Sequence, residues 1–461
     1  MNDSAGNLPD LKPLAQWYVH RWHRALWFLP LTVGLMGLIA VLLVRGSMED
    51  PRANYEKSRA AVAALKRAPV PDEQNAWLVY ERARGVRVIW VGHSDTDPQY
   101  KTDGESEIFA LEDVQIHWKD NAAAIALLHS AGDMSECDMG LDQVANPFSL
   151  PSLLNTRECA NLLAIDARCQ ALAGNHKAAA KSLRAIRRLA RHLETQPLLL
   201  NQMIATSFDA MVNEVFHAII CFDTPSTIDD LEAYKHALAG PGEPFERAAR
   251  CLKYESAVFL YTFDGAAAGL MKPQTRNPPI GMMPLWYGSD RNCYLGVIGD
   301  ALQSFEQHRW PEGFDDSIQR HQRGPSVITR MVGTTPRAWL ALFVTEERAR
   351  VAVTAAAFLQ FRAKHGRDPK DIGDLVPTFL PQVPMAALFD TPVRWTSEPL
   401  NDSADRPYIS TFYKDRKSIR IYTVGLNGID EGGNGNYMVV PGENEPDDAT
   451  FYIPALERVA K

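Results

Sequence analysis

Between Ile421 and Glu457 the sequence carries six carboxylates, Asp430, Glu431, Glu443, Glu445, Asp447 and Asp448, and no lysine or arginine. Five glycines fall from Gly425 to Gly435, so the backbone can bend sharply there and turn carbonyl oxygens inward. Clustered hard oxygens are what calcium needs, six to eight of them at about 2.3–2.6 Å. Asn427, Asp430, Asp447 and Asp448 are the side chains best placed to supply them. The spacing is not that of an EF-hand, because position 12 counted from Asp430 is Pro441. An unmetallated glycine-rich turn with solvated acids fits the same residues, and both readings stand at this level.

Elsewhere the residues offer little chemistry. There is no H-E-x-x-H, no Walker A loop and no dinucleotide fingerprint. Gly92-His-Ser-Asp-Thr96 begins like a nucleophile elbow but lacks the second glycine, so a polar loop is expected. His217, set between Phe216 and Ala218, reads as a satisfied core histidine and not as a ligand. The six cysteines (Cys137, Cys159, Cys169, Cys221, Cys251 and Cys293) have irregular spacing and no C-x-x-C, which argues against zinc. Buried small hydrophobes are the plain expectation, with a disulfide through Cys137, Cys251 or Cys293 left open. Lys181, Arg184, Arg188 and Arg191 recur at spacings 3-4-3, one stripe of a helix. That stripe is either a surface for anionic lipid or an acidic partner, or a solvated face. No catalytic residue is assigned.

The elements that must position these groups begin with Ala25 to Val44, twenty residues without a charge. At 1.5 Å per residue they span a bilayer core of about 30 Å. No small-x-small cleavage site follows, so the stretch reads as a retained anchor over 25–45. His20, Arg21, His23 and Arg24 precede it, which puts the tail at 1–24 in the cytoplasm and the body in the periplasm of an inner-membrane, single-pass protein. A net charge of −8 argues against nucleic acid as a partner.

Residues 46–337 read as an α-helical domain. The clearest part, 153–193, is a hairpin: Cys159, Leu163 and Ala167 on one helix, a Gly174-Asn175 turn, then Ala179, Leu183, Ile186, Ala190 and Leu193 on the next. It resembles a single tetratricopeptide hairpin, and no second copy follows at a 34-residue period. Pro197 opens a helix with Met203, Phe208, Met211, Val215 and Ile219 facing a core. Helices are also expected at Thr227 to Leu238, Pro244 to Phe263 and Val297 to His308. An irregular loop is expected over Gly265 to Asn292, and a polar linker over Trp310 to Arg323. Residues 338–461 form a small α+β domain. A helix runs from Ala338 to His365 with Ala349, Ala352, Ala356, Leu359 and Ala363 as its seam, followed by strands at Val393 to Thr396, Ile409 to Tyr413 and Ile419 to Val424.

From Glu346 to Gly435 the chain resembles the soluble part of the major pseudopilins of bacterial type II secretion. The shared features are His365-Gly-Arg-Asp-Pro369, Phe379-Leu-Pro-Gln-Val-Pro384, Phe389-Asp-Thr-Pro-Val393 and Ile421-Tyr-Thr-Val-Gly-Leu-Asn-Gly-Ile-Asp-Glu-Gly-Gly433. In that family the last segment is a calcium-binding loop, so the resemblance implies calcium here, although Asn427 stands where the family tends to carry an acid. The processed pseudopilin leader, with its glutamate inside the membrane helix, is missing from this anchor. Residues 46–337 also intervene between anchor and module, which fits a borrowed module and not a pilus subunit. The body as a whole resembles uncharacterised bacterial membrane-anchored proteins with the same order of parts. The expected function is that of an interaction or scaffold protein of the cell envelope, with envelope protein partners. The alternative is an extracytoplasmic enzyme or ligand sensor whose groups come from separate helices.

Overall fold

The computed structural model describes residues 50–88, 112–142, 144–145, 153–222, 227–271, 283–311, 314–321, 335–387, 389, 391–397, 418–425, 429–433 and 448–454. The tail, the apolar stretch at 25–44, the Gly92 loop, the strand expected at 409–413, Asn427 and Asp447 lie outside them. Twelve α-helices and one small sheet make up the described chain. The helices are α1 (Pro51–Ala64), α2 (Ala76–Val86), α3 (Glu112–Asp120), α4 (Ala122–Asp133), α5 (Leu153–Leu172), α6 (His176–Leu193), α7 (Leu199–Phe222), α8 (Ile228–Leu238), α9 (Pro244–Ala267), α10 (Met283–Glu306), α11 (Phe314–His321) and α12 (Thr335–His365). The strands β1 (Arg394–Thr396), β2 (Ser418–Thr423) and β3 (Ala449–Pro454) pair antiparallel in that order.

Local chemistry sets the ends. Asp50 caps α1 by accepting the N–H of Arg52 at 2.9 Å, with Pro51 at the first helical position. Thr227 caps α8 through the N–H of Asp230 at 3.1 Å. α5 ends in a Schellman turn: Gly174 has φ +76°, its N–H reaches the carbonyl of Ala171 at 2.9 Å, and the N–H of Asn175 reaches Gln170 at 2.8 Å. A side chain at a positive φ costs roughly 1–2 kcal/mol. Gly174→Ala is therefore expected to lower stability by about that amount, read as a shift in the denaturant midpoint with an unchanged slope. Asparagine at the same position, which tolerates the left-handed region, is expected to cost less.

The α5–α6 hairpin packs as its pattern requires. Cys159, Leu163, Ala167 and the five seam residues of α6 are all buried. They join a core that continues through α7, α8 and α12 into the sheet without a break. Phe216 of α7 stacks 5.7 Å from Phe451 of β3, and Phe358 of α12 meets Trp395 of β1 at 5.4 Å. A second core joins α9, α10 and the first turns of α12 around Phe245, Trp339 and Phe343. The helical body and the sheet are thus held by shared apolar side chains.

Several expectations are corrected. Within the expected loop at 265–292, α9 continues to Ala267 and α10 starts at Met283. Pro284 sits in the first turn of α10, where its missing N–H is harmless. The expected linker at 310–323 contains α11. Met203 is 48% exposed, because the buried face of α7 is Ala205, Phe208, Val212, Phe216 and Ile219. Ala363 faces solvent near the end of α12. β3 adds a strand at Ala449–Pro454 beyond those expected. All six cysteines are buried and unbridged, and burial pushes the thiols of Cys159 and Cys169 up to about 11.

Leu199–Cys221 is long and apolar enough to cross a membrane by length and composition. In this fold it is the central helix of the body. Asp209 and Asn213 on it are buried against charged neighbours.

Candidate functional site

α6 carries Lys177, Lys181, Arg184, Arg187, Arg188 and Arg191, with no acid anywhere along it. The apolar seam turns one side of this helix into the core, and that fixes what each cation can reach. Arg187 lies four residues after Leu183 and three before Ala190, a seam position, and it is drawn inside. Its Nη1 donates to Asp209 Oδ1 of α7 at 3.2 Å. Its Nη2 donates to Asn213 Oδ1 at 3.2 Å. Nε and Nη2 donate to the carbonyls of Ala237 and Leu238 at 2.9 Å each. Those carbonyls end α8, where helical geometry leaves acceptors without partners and where a cation suits the dipole.

Arg191 is the stripe member that does not behave as a solvated residue. It donates to Asp209 Oδ2, and through Nη1 to Glu194 Oε2 at 2.7 Å. Glu194 also takes Gln202 Nε2 at 2.7 Å and Arg247 of α9. Burial lowers the Arg191 guanidinium, but Asp209 and then Glu194 more than offset it, so it titrates above its ordinary value. Lys181 has only a surface pair with Asp133 at 3.6 Å, which contributes little. Arg184 and Arg188 are exposed and have no ion pair among the described residues.

These cations line an open cavity of about 360 Å³ between α4, α6 and the chain leaving α8. Lys181, Arg184, Arg187, Arg188 and Arg191 stand in its wall against a single acid, Asp133. His129 of α4 and His236 of α8 complete the polar lining. Close packing holds the walls in place: a Cβ on Gly132 of α4 would meet that of Ala185 on α6 at 3.0 Å. Likewise, a Cβ on Gly240 would meet the carboxylate of Glu346 at 2.7 Å. Two buried nitrogens of lining residues, His129 Nδ1 and Arg191 Nε, have no hydrogen-bond partner among the described residues.

His129 also belongs to a buried cluster with a serine and an aspartate, so its geometry decides whether hydrolytic chemistry is available. Ser182 Oγ donates to Asp166 Oδ2, and His129 Nε2 reaches the same oxygen at 3.0 Å. Trp118 Nε1 and Gln170 Nε2 donate to Asp166 Oδ1 at 2.8 and 3.3 Å. In a nucleophilic triad the imidazole stands between serine and acid, with one ring nitrogen to each. Here serine and acid meet directly, both on the Nε2 side, and Ser182 is fully buried. Burial raises the Asp166 carboxyl, but hydrogen bonds from His129, Ser182 and Trp118 outweigh it and hold the group below its ordinary value. The cluster braces α3, α4, α5 and α6 and activates no nucleophile.

The acid-rich loop at the C-terminal end presents a different picture from a cation cage. Asp448 is fully buried, and its two oxygens accept the N–H groups of Gly425 at 3.2 Å, Glu431 at 3.0 Å and Gly433 at 2.8 Å. Asp430 accepts the N–H of Gly432 at 3.0 Å and pairs with Arg394 of β1. The two described candidates are thus held by backbone N–H groups and by an arginine. Asn427 and Asp447 lie outside the described residues, among which no group of three or more His, Cys, Asp and Glu side chains could hold a metal.

His217 packs edge-on against Phe451 at 5.0 Å, and Cys221 Sγ lies 3.8 Å from its Nε2. Burial lowers its titration to about 4, with a backbone hydrogen bond at Tyr452 opposing. That is the environment of a core histidine. No protein-family model, no curated protein and no solved structure matches this chain.

Proposed function

We propose that this chain is a membrane-anchored interaction protein of the cell envelope that recognises an anionic group through the α6 cavity. In this reading the apolar stretch at 25–44 is a single inner-membrane span, and the body with its pseudopilin-like C-terminal module stands in the periplasm. The observation that carries it is the acid-free cationic helix. Like charges at i and i+4, such as Arg184 and Arg188, cost a helix a few tenths of a kcal/mol each. In a chain of net charge −8, a face that keeps two guanidiniums without an ion pair among the described residues beside a formed cavity fits recognition better than solvation. The other buried clusters, around Asp166 and Asp209, tie helices together and leave no group poised for catalysis.

The test is purification of full-length protein from native membranes, wild type beside Arg184→Glu/Arg188→Glu. A stoichiometric partner with wild type that is lost with the variant supports the reading. Recovery of both proteins alone overturns it.

Calcium enters as a proposal about stability. To bind, it must take Asp448 from its three N–H donors and Asp430 from Arg394. An ion that binds only the folded form at a hundred times its Kd adds about 2.7 kcal/mol. A calcium site predicts a Tm several degrees higher in calcium than in chelator, and equal values remove it.

A further inference from the structure

We infer that the α6 cavity is a binding site for a dianionic phosphate group, a phosphate monoester or inorganic phosphate. The inference rests on the reading of that cavity as a recognition surface and adds the chemistry of what enters it. Of the five cations in the wall, Arg187 and Arg191 meet Asp209 and Glu194 from behind, acids that Arg247 shares, and Lys181 has Asp133. Arg184 and Arg188 remain, two positive charges without counterpart among the described residues. A carboxylate would match one of them. A phosphate monoester carries close to two negative charges at neutral pH and matches both.

Residues four apart on a helix have Cβ atoms about 5–6 Å apart, so both guanidiniums can close on one tetrahedral group. The planar guanidinium fork suits phosphate oxygens, and arginine, not lysine, supplies the two unpaired charges. The cleft, of roughly 360 Å³, lies near the lower end of small-ligand sites, room for a phosphate with a short organic part. The close approach of Gly132 to Ala185 sets the spacing of α4 and α6 along this wall.

A free phosphate metabolite and a phosphomonoester lipid headgroup present the same group. The experiment uses full-length protein in amphipol, free of membrane, titrated by calorimetry with inorganic phosphate, glycerol phosphate, soluble dihexanoyl phosphatidic acid and acetate. Saturable binding of the phosphates, with acetate inert at the same concentration, is expected. Arg184→Glu/Arg188→Glu is expected to lose about 10- to 100-fold in affinity, the value of one or two charge-assisted hydrogen bonds. Arg184→Glu alone should weaken binding while leaving Tm unchanged or slightly raised, since it replaces a like-charge pair with a Glu–Arg pair in the favourable order. Preference for phosphatidic acid over glycerol phosphate assigns the site to a headgroup, and the reverse assigns it to a metabolite. No saturable phosphate binding, equal binding of acetate, or undiminished binding by the double variant overturns the inference. Loss of the membrane partner in that variant without phosphate binding would sink the phosphate alone and leave the recognition surface standing.

Discussion

Replacing Asp209 by alanine will lower the unfolding free energy by about 3–5 kcal/mol, the cost of leaving a buried cation without its partner. Asp209 is fully buried and meets Arg187 and Arg191 with separate oxygens. Arg187 keeps only 9% of its side chain exposed and Arg191 25%, and Arg187 is held in place by the carbonyls of Ala237 and Leu238. Asp209→Asn keeps the shape and one acceptor, so a smaller loss is expected. Arg187→Met is not its mirror image, because it also strips the end of α8 of its donors. For that reason Arg187→Met with Asp209→Leu should be milder than the sum of the two changes, yet still below wild type. Urea unfolding of the full-length protein followed by tryptophan fluorescence checks all four. A loss under about 1 kcal/mol for Asp209→Ala would mean that solvent screens the cluster, and the picture of a dry ion-pair network would fall. The folded fraction of that variant should bind phosphate no less tightly, since the cavity wall loses a neutralising charge.

The residues of this cluster show what a sequence of this kind discloses. The helices of the body follow from periodicity, as does the Gly174 turn, because a 3-4 apolar repeat and a glycine at the end of it are local facts. The basic stripe was visible for the same reason. That Arg191 turns inward was not, since the acid it meets lies on the next helix, 18 residues away. A trace did exist for Arg187, an arginine on an apolar seam, and for Asp209 and Asn213, polar residues four apart inside a helix apolar enough to cross a membrane. Each is expensive to bury alone, so together they point to one another. The acid-rich loop discloses less. Composition shows carboxylates but not their direction, and Asp448 is aimed at three backbone N–H groups instead of at a common centre with Asp430. Pro273, Pro278, Pro279 and Pro284 give 265–292 the look of a loop, yet the last opens α10, because proline breaks a helix interior but not its first turn.

The second large effect is a change in how stability depends on pH. His192 is buried; Tyr80 OH bonds to Nδ1 at 2.9 Å and Nε2 bonds to the carbonyl of Met134 at 3.2 Å. Burial, with Arg188 nearby, lowers its titration to about 4. An unfolded histidine titrates near 6.5, so between about pH 6.5 and 4 unfolding takes up a proton. The contribution is complete above pH 6.5 and is lost as pH falls toward 4, roughly 3 kcal/mol in all. Glu347 acts in the opposite sense. Burial raises it to about 7, with the N–H of Ala387 only partly offsetting. The folded state then holds a proton from about pH 4.5 to 7 that the unfolded state has released, so this contribution is full below 4.5 and is lost as pH rises through 7. Asp448, raised to about 6 by burial, adds to the same side. His217, lowered to about 4 by burial, adds to the side of His192. Wild-type stability should therefore change little between pH 4.5 and 6, because two buried histidines and two buried acids oppose each other. Glu347→Gln removes one opponent, and its stability should fall on acidification by about 1.4 kcal/mol per pH unit more than wild type. His192→Gln should shift the slope by a similar amount the other way, on top of a constant loss from the altered bond to Tyr80. Urea midpoints from pH 4.5 to 7 measure both, and parallel profiles for the three proteins would show that neither group changes its proton affinity on folding.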